Sequence, residues 1–493
     1  MADPNIKNLL QRSARDSFLY LPAMIIPAVV GIFMLRVFTA LFSREQFGYY
    51  SNALSTTGLV KTFSVIWLSS SSVRFYQVYV NAKKEKEFFS SLLLATTLSA
   101  FLFALIALGI LLIIHPRLES ELFTTVQVAI ISTILTAFFE IFIVIFRVSM
   151  QPSKYTIYWV LYVIAKPALG LLLIKTFSFG VEGLFWSWCL TPFFLTFFVF
   201  KDLKIRRYLG FHSISGATIR DMASYGFPLA ISNFAIWLLS LSDRYLIEIF
   251  RTSDEVGLYG VGFAIPEKTL QFTYMTLMLA AYPIIIENFE NRDQHSTQHL
   301  ITEMSRVYIL LITPLMLLLA AMPEQIVLIF ADKRFVASAQ VIPFISVGLY
   351  FYGLAMYVQK GLELKKKSKR IAVIALSSGV LAIASNVILI PRFGYFGASL
   401  SFLLAYCSYF VLAILLVSKI MPWRPPLRTV FNTAIASSAM IAAIKITLKF
   451  DLPLILQLLS GLFSGLILYA GILHMFGELH KDDLIMFGLK KFK

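Results

Sequence analysis

A chain of 493 residues that is 58% hydrophobic and only 14% charged, with a mean hydropathy of +0.78, has too little polar surface for a water-soluble domain. Its net charge of +16 invites a nucleic-acid reading, but the basic residues collect in short segments between apolar runs, the pattern of the positive-inside bias. The composition predicts an all-α polytopic membrane protein and excludes a nucleic-acid binder.

Fourteen apolar stretches are each long enough to cross roughly 30 Å of hydrocarbon at 1.5 Å per residue. The first six are predicted at 17–42, 46–72, 88–114, 121–147, 155–175 and 180–201. Six more follow at 222–248, 255–286, 305–323, 338–360, 371–391 and 394–418, and a last pair at 429–448 and 454–475. Leu/Phe/Ala runs in place of apolar–polar alternation argue against a β-barrel. The first apolar stretch is too long for a cleavable signal, and no small-residue cleavage site follows it. Most of the 43 Lys and Arg fall in segments that an inner N-terminus places inside, and an even number of crossings then puts both termini in the cytoplasm. The densest basic cluster, Lys365, Lys366, Lys367, Lys369 and Arg370, lies in an inner loop and is expected to orient the chain and meet anionic lipid.

The chain repeats itself. Phe47-Gly48-Tyr49-Tyr50 opens the second span, and Val256-Gly257-Leu258-Tyr259 opens the eighth, 209 residues later. Phe179-Gly180-Val181-Glu182-Gly183 opens the sixth span and Phe393-Gly394-Tyr395-Phe396-Gly397 the twelfth, 214 residues later. Pro27 and Pro228 stand 201 apart. Three landmarks in the same order, at similar offsets, predict two copies of a six-helix lobe. Six crossings per copy return the chain to the same side, so the copies are parallel and related by an axis along the membrane normal. The expected domains are residues 1–210 and 211–420, followed by a C-terminal helix pair with its tail at 421–493.

Enzyme signatures are absent. No phosphate loop is present: Gly257, Gly260 and Gly262 lack the following Lys-Ser/Thr, and no Asp-x-Asp occurs. The short outer loops leave little room for glycosyl transfer or polymerisation. Cys189 and Cys407 read as buried thiols, and His295 and His299, though four apart, have no ligand pattern beside them. No metal or cofactor is expected. Chemistry must then come from ionisable groups inside the spans, where each costs about 2.5–3.5 kcal/mol on insertion scales and so faces a polar interior. Arg36 precedes Gly48 by twelve residues and Arg244 precedes Gly257 by thirteen; Lys61 follows Gly48 by thirteen and Lys268 follows Gly257 by eleven. These four form two pseudo-symmetric cation pairs suited to a diphosphate, which Arg binds bidentately and Lys as a point charge. Interfacial snorkelling is the competing role for Arg36 and Arg244. Glu140, mid-span with no cation at i±4, is the foremost candidate for ion coupling, with Asp243 and Glu267 beside it. Trp237, Tyr259, Phe263 and Tyr274 are candidates for stacking on sugar rings. Lys166, beside Pro167, is left without a role.

Ser242-Asp243-Arg244-Tyr245-Leu246-Ile247 followed by Val256-Gly257-Leu258-Tyr259, and Asn386-Val387-Ile388-Leu389-Ile390-Pro391-Arg392-Phe393-Gly394-Tyr395-Phe396-Gly397-Ala398, resemble the hallmarks of bacterial polysaccharide flippases (Wzx-like). These belong to the multidrug/oligosaccharidyl-lipid/polysaccharide exporter superfamily, and the likeness covers nearly the whole chain. The resemblance implies translocation of undecaprenyl-diphosphate-linked oligosaccharide, such as an O-antigen repeat unit, from the inner to the outer leaflet of the cell inner membrane. It implies alternating access through a cationic cavity, driven by an ion gradient or the membrane potential. The implied partners are the lipid-linked oligosaccharide, membrane lipids and polymerase or other assembly proteins. The rivals are a drug exporter of the same superfamily, which would want an acidic cavity, a peptidoglycan-precursor flippase, a membrane glycosyltransferase or polymerase, and a non-transporting scaffold.

Overall fold

The computed structural model describes residues 4–291 and 293–479, with side chains from residue 19; the expected tail beyond 479 lies outside the described residues. Among these residues every regular element is helical. In a bilayer, where no water can satisfy backbone N–H and C=O groups, helices answer that demand within each segment. Contacts divide the chain into two units. The first holds residues up to Met34 together with Glu45–Trp237, and the second holds Leu35–Arg44 together with the chain from Leu238 onward.

The first unit carries most of α1 (Pro4–Leu41), then α2 (Arg44–Ser64), α3 (Ile66–Asn81), α4 (Glu85–Ile114), α5 (Ser120–Val148), α6 (Pro152–Phe177), α7 (Glu182–Asp202) and most of α8 (Gly216–Leu241). Its core is aromatic: Phe88, Phe139, Phe142 and Phe146 are fully buried with Leu68 and Leu92. Hydroxyls tie the helices where apolar packing alone discriminates little between neighbours. Trp67 donates to Ser99 Oγ at 3.1 Å, and Ser71 donates to the Met222 carbonyl at 2.7 Å. At Gly226 the backbone of α8 meets that of α3: a Cβ there would stand 2.3 Å from the Trp67 carbonyl oxygen.

The second unit continues with α9 (Asp243–Phe250), α10 (Ser253–Pro266), α11 (Phe272–Asn291), α12 (Gln294–Ala321), α13 (Pro323–Phe330), α14 (Ile342–Val358), α15 (Lys360–Leu364), α16 (Ser368–Val417), α17 (Leu427–Thr447) and α18 (Leu454–Met475). Its interior is tyrosine-rich, with Tyr259, Tyr274, Tyr308 and Tyr406 all buried. A five-residue π turn, Glu267–Gln271, follows Pro266 between α10 and α11, a local widening that often accompanies function. The C-terminal pair α17 and α18 is held to α12 by a buried acid: Glu478 accepts from Thr429 at 2.7 Å and Asn432 at 2.8 Å, and Arg306 lies 3.7 Å away.

Among the described residues, twelve segments are long and apolar enough to span a bilayer. The expected crossings at 371–391 and 394–418 are run together in the 50-residue α16, where Gly394 at φ 60°, ψ −145° marks the junction of two helices. The expected crossing at 46–72 is interrupted at Val65, between α2 and α3, and is not among the twelve.

The glycine landmarks expected to mark a repeat have a polar contact beside them in each unit. Two residues before the first Gly-x-Tyr, Gln46 donates to Glu121 Oε1 at 3.0 Å, and the same oxygen faces Gly180, where a Cβ would lie 3.3 Å away. Two residues before the second, Glu255 accepts from Tyr395 N at 2.8 Å and crowds Gly394. In both units the start of one span is clasped to the glycine turn that opens another. Small-residue turns permit that approach.

Candidate functional site

In the second unit, α8 is interrupted at Ser242 and α9 restarts at Asp243, which places this carboxylate at 0% exposure against α10 and α16. Tyr259 donates its hydroxyl to Oδ2 at 2.5 Å, and Asn386 donates Nδ2 to Oδ1 at 2.6 Å. Arg244, next in sequence and also buried, donates to the Ser240 carbonyl at 3.3 Å and lies 4.5 Å above the Phe263 ring. A buried acid persists when donors and a cation compensate it. Asn386 Oδ1 is buried without a hydrogen-bond partner.

Arg36, Arg244 and Lys268 belong to the second unit, and Lys61 to the first. Arg36, exposed near the end of α1, donates to the Ala331 carbonyl. Around it, Arg334 donates to the Thr39 carbonyl at 2.8 Å, and Thr39 Oγ1 accepts from Asp332 N at 3.0 Å. The Arg334 backbone N–H, and then its guanidinium, hold the Asp332 carboxyl below the usual range. Lys268 and Glu267 sit half-buried in the π turn.

In the first unit Lys61 of α2 and Glu140 of α5 form an ion pair at 2.5 Å, with side chains 29% and 17% exposed. Thus a cation expected to hold anions and a carboxylate expected to couple to ions are one pair. Lys166 lies 3.5 Å over the Trp188 ring and 5.0 Å from Tyr162, a cation–π arrangement. The four aromatics expected to stack on sugar are all buried in this conformation. Trp237 donates to the Ser55 carbonyl at 3.0 Å, Tyr274 packs edge-on to Tyr352, and Tyr259 and Phe263 cover Asp243 and Arg244.

Sequence reasoning missed Asn386 as a site residue, although it is the polar residue in the apolar run before Pro391. It also missed the partner of Glu140, because the pair joins residues 79 apart. Within the basic cluster, Arg370 donates to the Leu416 carbonyl at 3.2 Å. No group of three metal-ligand side chains occurs among the described residues.

The profile of the family described as "Polysaccharide biosynthesis protein" matches residues 13–289, and that of the MatE family matches 228–388. The solved structure of a lipid II flippase, MurJ in an inward closed conformation, is similar at a TM-score of 0.73 and 15% identity, covering 94% of this chain and 99% of that one. An inward-facing multidrug resistance MATE transporter of the MOP superfamily gives 0.61 at 12% identity, over 82% and 98% of the two chains. Uncharacterized membrane protein MJ1068 of Methanocaldococcus jannaschii is 23% identical over 208 residues, and the match spans 41% of this chain and 40% of that relative. The fold is therefore that of the MurJ and MATE proteins.

Proposed function

The chain belongs to the polysaccharide biosynthesis protein family of the MOP transporter superfamily, and from that premise we propose that it flips undecaprenyl-diphosphate-linked oligosaccharide across the cell inner membrane. It is a multi-pass membrane transporter of the flippase type, and its relatives in family and fold are transporters and flippases, not enzymes. The observation that carries the substrate reading is Lys61, a partly buried cation on α2 that pairs with Glu140 of α5, a carboxylate that an incoming phosphate can displace. A drug exporter for organic cations needs the opposite sign of charge at such a place. In this reading Glu140 occupies the position that a substrate phosphate takes during transport. Arg36, Arg244 and Lys268 add cations, and Arg contributes bidentate geometry.

Binding of the diphosphate releases Glu140 from Lys61, and the freed carboxylate takes up a proton or cation, coupling substrate to an ion gradient. Asp243, with Tyr259 and Asn386, is a second coupling acid, and Glu267 in the π turn a third. Trp237, Tyr259, Phe263 and Tyr274 reach a sugar ring only in a conformation that uncovers them. A peptidoglycan-precursor lipid carries the same diphosphate, so the cations select the lipid class and the sugar is selected elsewhere.

Thermal unfolding of the purified protein with added ligand tests the reading, because a ligand that binds the folded state alone raises its stability. Undecaprenyl diphosphate is expected to stabilise the parent and not Lys61→Gln. Stabilisation by organic cations, with none by the diphosphate lipid, overturns the proposal.

A further inference from the structure

The loop between α7 and α8 forms a platform at the end of the first unit where α4, α6 and α8 begin. Ile205–Arg207 and Phe211–Ser213 each make a single 3-10 turn, and Ile205 is buried. Ser90, near the start of α4, accepts from Gly210 N and donates to the Tyr208 carbonyl, both at 3.1 Å. Ser91 accepts from Ser215 N at 3.0 Å, and the Tyr208 ring stacks on Phe89 with centroids 5.2 Å apart. A loop pinned at this many points has a defined outer surface. That surface presents Phe211 at 92% exposure and Leu209 at 39%. Beside them lies a groove of about 300 Å3 lined by Leu93, Leu94, Thr97, Leu209, Phe211 and Ile214.

The surrounding charge is mostly positive. Lys201, Lys204, Arg206, Arg207 and His212 are all exposed. The acid among them, Asp202, is paired with Lys154 at 3.3 Å. At the same end, Lys83, Lys84 and Lys86 are exposed at the turn into α4, where Glu87 is engaged by Thr218 at 2.6 Å and by Lys84 at 3.6 Å. An outward aromatic and an apolar groove beside a row of cations fit the membrane interface. There rings and aliphatic groups meet acyl chains while Lys and Arg meet negative headgroups.

We propose that this platform binds an anionic phospholipid. Arg206 and Arg207 hold its phosphate, one acyl chain lies in the groove against Leu93 and Leu94, and Phe211 inserts at the depth of the headgroup boundary. The site is distinct from the Lys61 pair and does not rest on the transport reading.

The full-length protein in bilayer discs of mixed phosphatidylglycerol and phosphatidylcholine, released for native mass spectrometry, tests the lipid preference. The parent is expected to retain phosphatidylglycerol over phosphatidylcholine. The Arg206→Gln, Arg207→Gln double variant is expected to lose that preference by roughly fivefold for each cation removed. Independently, the Phe211→Trp variant gains fluorescence over the parent, and bromine on the acyl chains near the headgroup is expected to quench the added signal. Equal retention of the two lipids by the parent, or an added signal that the brominated lipids leave unquenched, overturns the proposal.

Discussion

Replacing Glu140 with Gln separates two meanings of its ion pair with Lys61. The pair joins α2 to α5 at 2.5 Å, with side chains 29% and 17% exposed. Its environment falls between a surface pair, worth about 0–1 kcal/mol, and a fully buried pair, whose breakage costs about 3–5 kcal/mol. An intermediate cost of about 1–3 kcal/mol follows for the ligand-free protein when the carboxylate is lost. Because Glu140 occupies the place a phosphate takes, the same energy opposes substrate binding. Glu140→Gln therefore lowers the ligand-free unfolding midpoint yet binds undecaprenyl diphosphate about 5–150-fold more tightly. Lys61→Gln loses stability and affinity together. The assay is a thermal-unfolding titration of purified parent and variants with undecaprenyl diphosphate, read as the ligand concentration needed for half of the maximal shift. Opposite signs for the two variants are the signature of an internal anion competing with substrate. A Glu140→Gln protein that binds no more tightly than the parent refutes the reasoning and leaves the pair as a structural strut.

Three further outcomes follow from particular contacts. Asp243→Asn presents an amide where Tyr259 and Asn386 both donate, and leaves Arg244 without its neighbouring carboxylate. It is expected to lower the unfolding midpoint more than Tyr259→Phe, which removes one of the two donors at about 1–3 kcal/mol; equal midpoints for the two variants contradict a carboxylate that accepts from both donors. Gly394→Ala places a Cβ 2.3 Å from Glu255 Oε2 at φ +60°, and the backbone strain alone is worth about 1–3 kcal/mol. Adding Glu255→Ala should relieve the clash and not the strain, so only partial recovery of the midpoint is expected, and full recovery argues against backbone strain. Gly226→Ala drives a methyl onto the Trp67 carbonyl and should lower the unfolding midpoint; an unchanged midpoint contradicts the close approach of α3 and α8.

The helical architecture was readable because bilayer thickness turns hydrophobic run length into a structural signal. The glycine landmarks that predict a repeat lie beside two polar clasps, of Gln46 with Glu121 and of Glu255 with the Gly394 turn, which the spacing alone did not show. What hydropathy conveys about a charge is that it avoids lipid, not which helix it faces. Glu140 therefore showed no local cation, while its partner waited on α2. Arg36 was readable as a cation near a span end, but its hydrogen bond to Ala331 depends on tertiary folding across 295 residues. Asn386 was visible within a family-like motif, yet its bond to Asp243 joins positions 143 apart. The split of the second crossing at Val65 was not legible, because no Pro or Gly stands at the break and both halves carry serines among apolar residues.

Translocation itself is the most direct test. Vesicles reconstituted with the protein and an undecaprenyl-diphosphate-linked oligosaccharide, labelled on the sugar, are assayed with a membrane-impermeant reagent that reports which leaflet holds the label. The account predicts protein-dependent movement of the sugar between leaflets, abolished when Lys61 and Arg244 are both changed to Glu in protein that still inserts. Movement that persists in that double variant, or a parent no faster than protein-free vesicles, contradicts it.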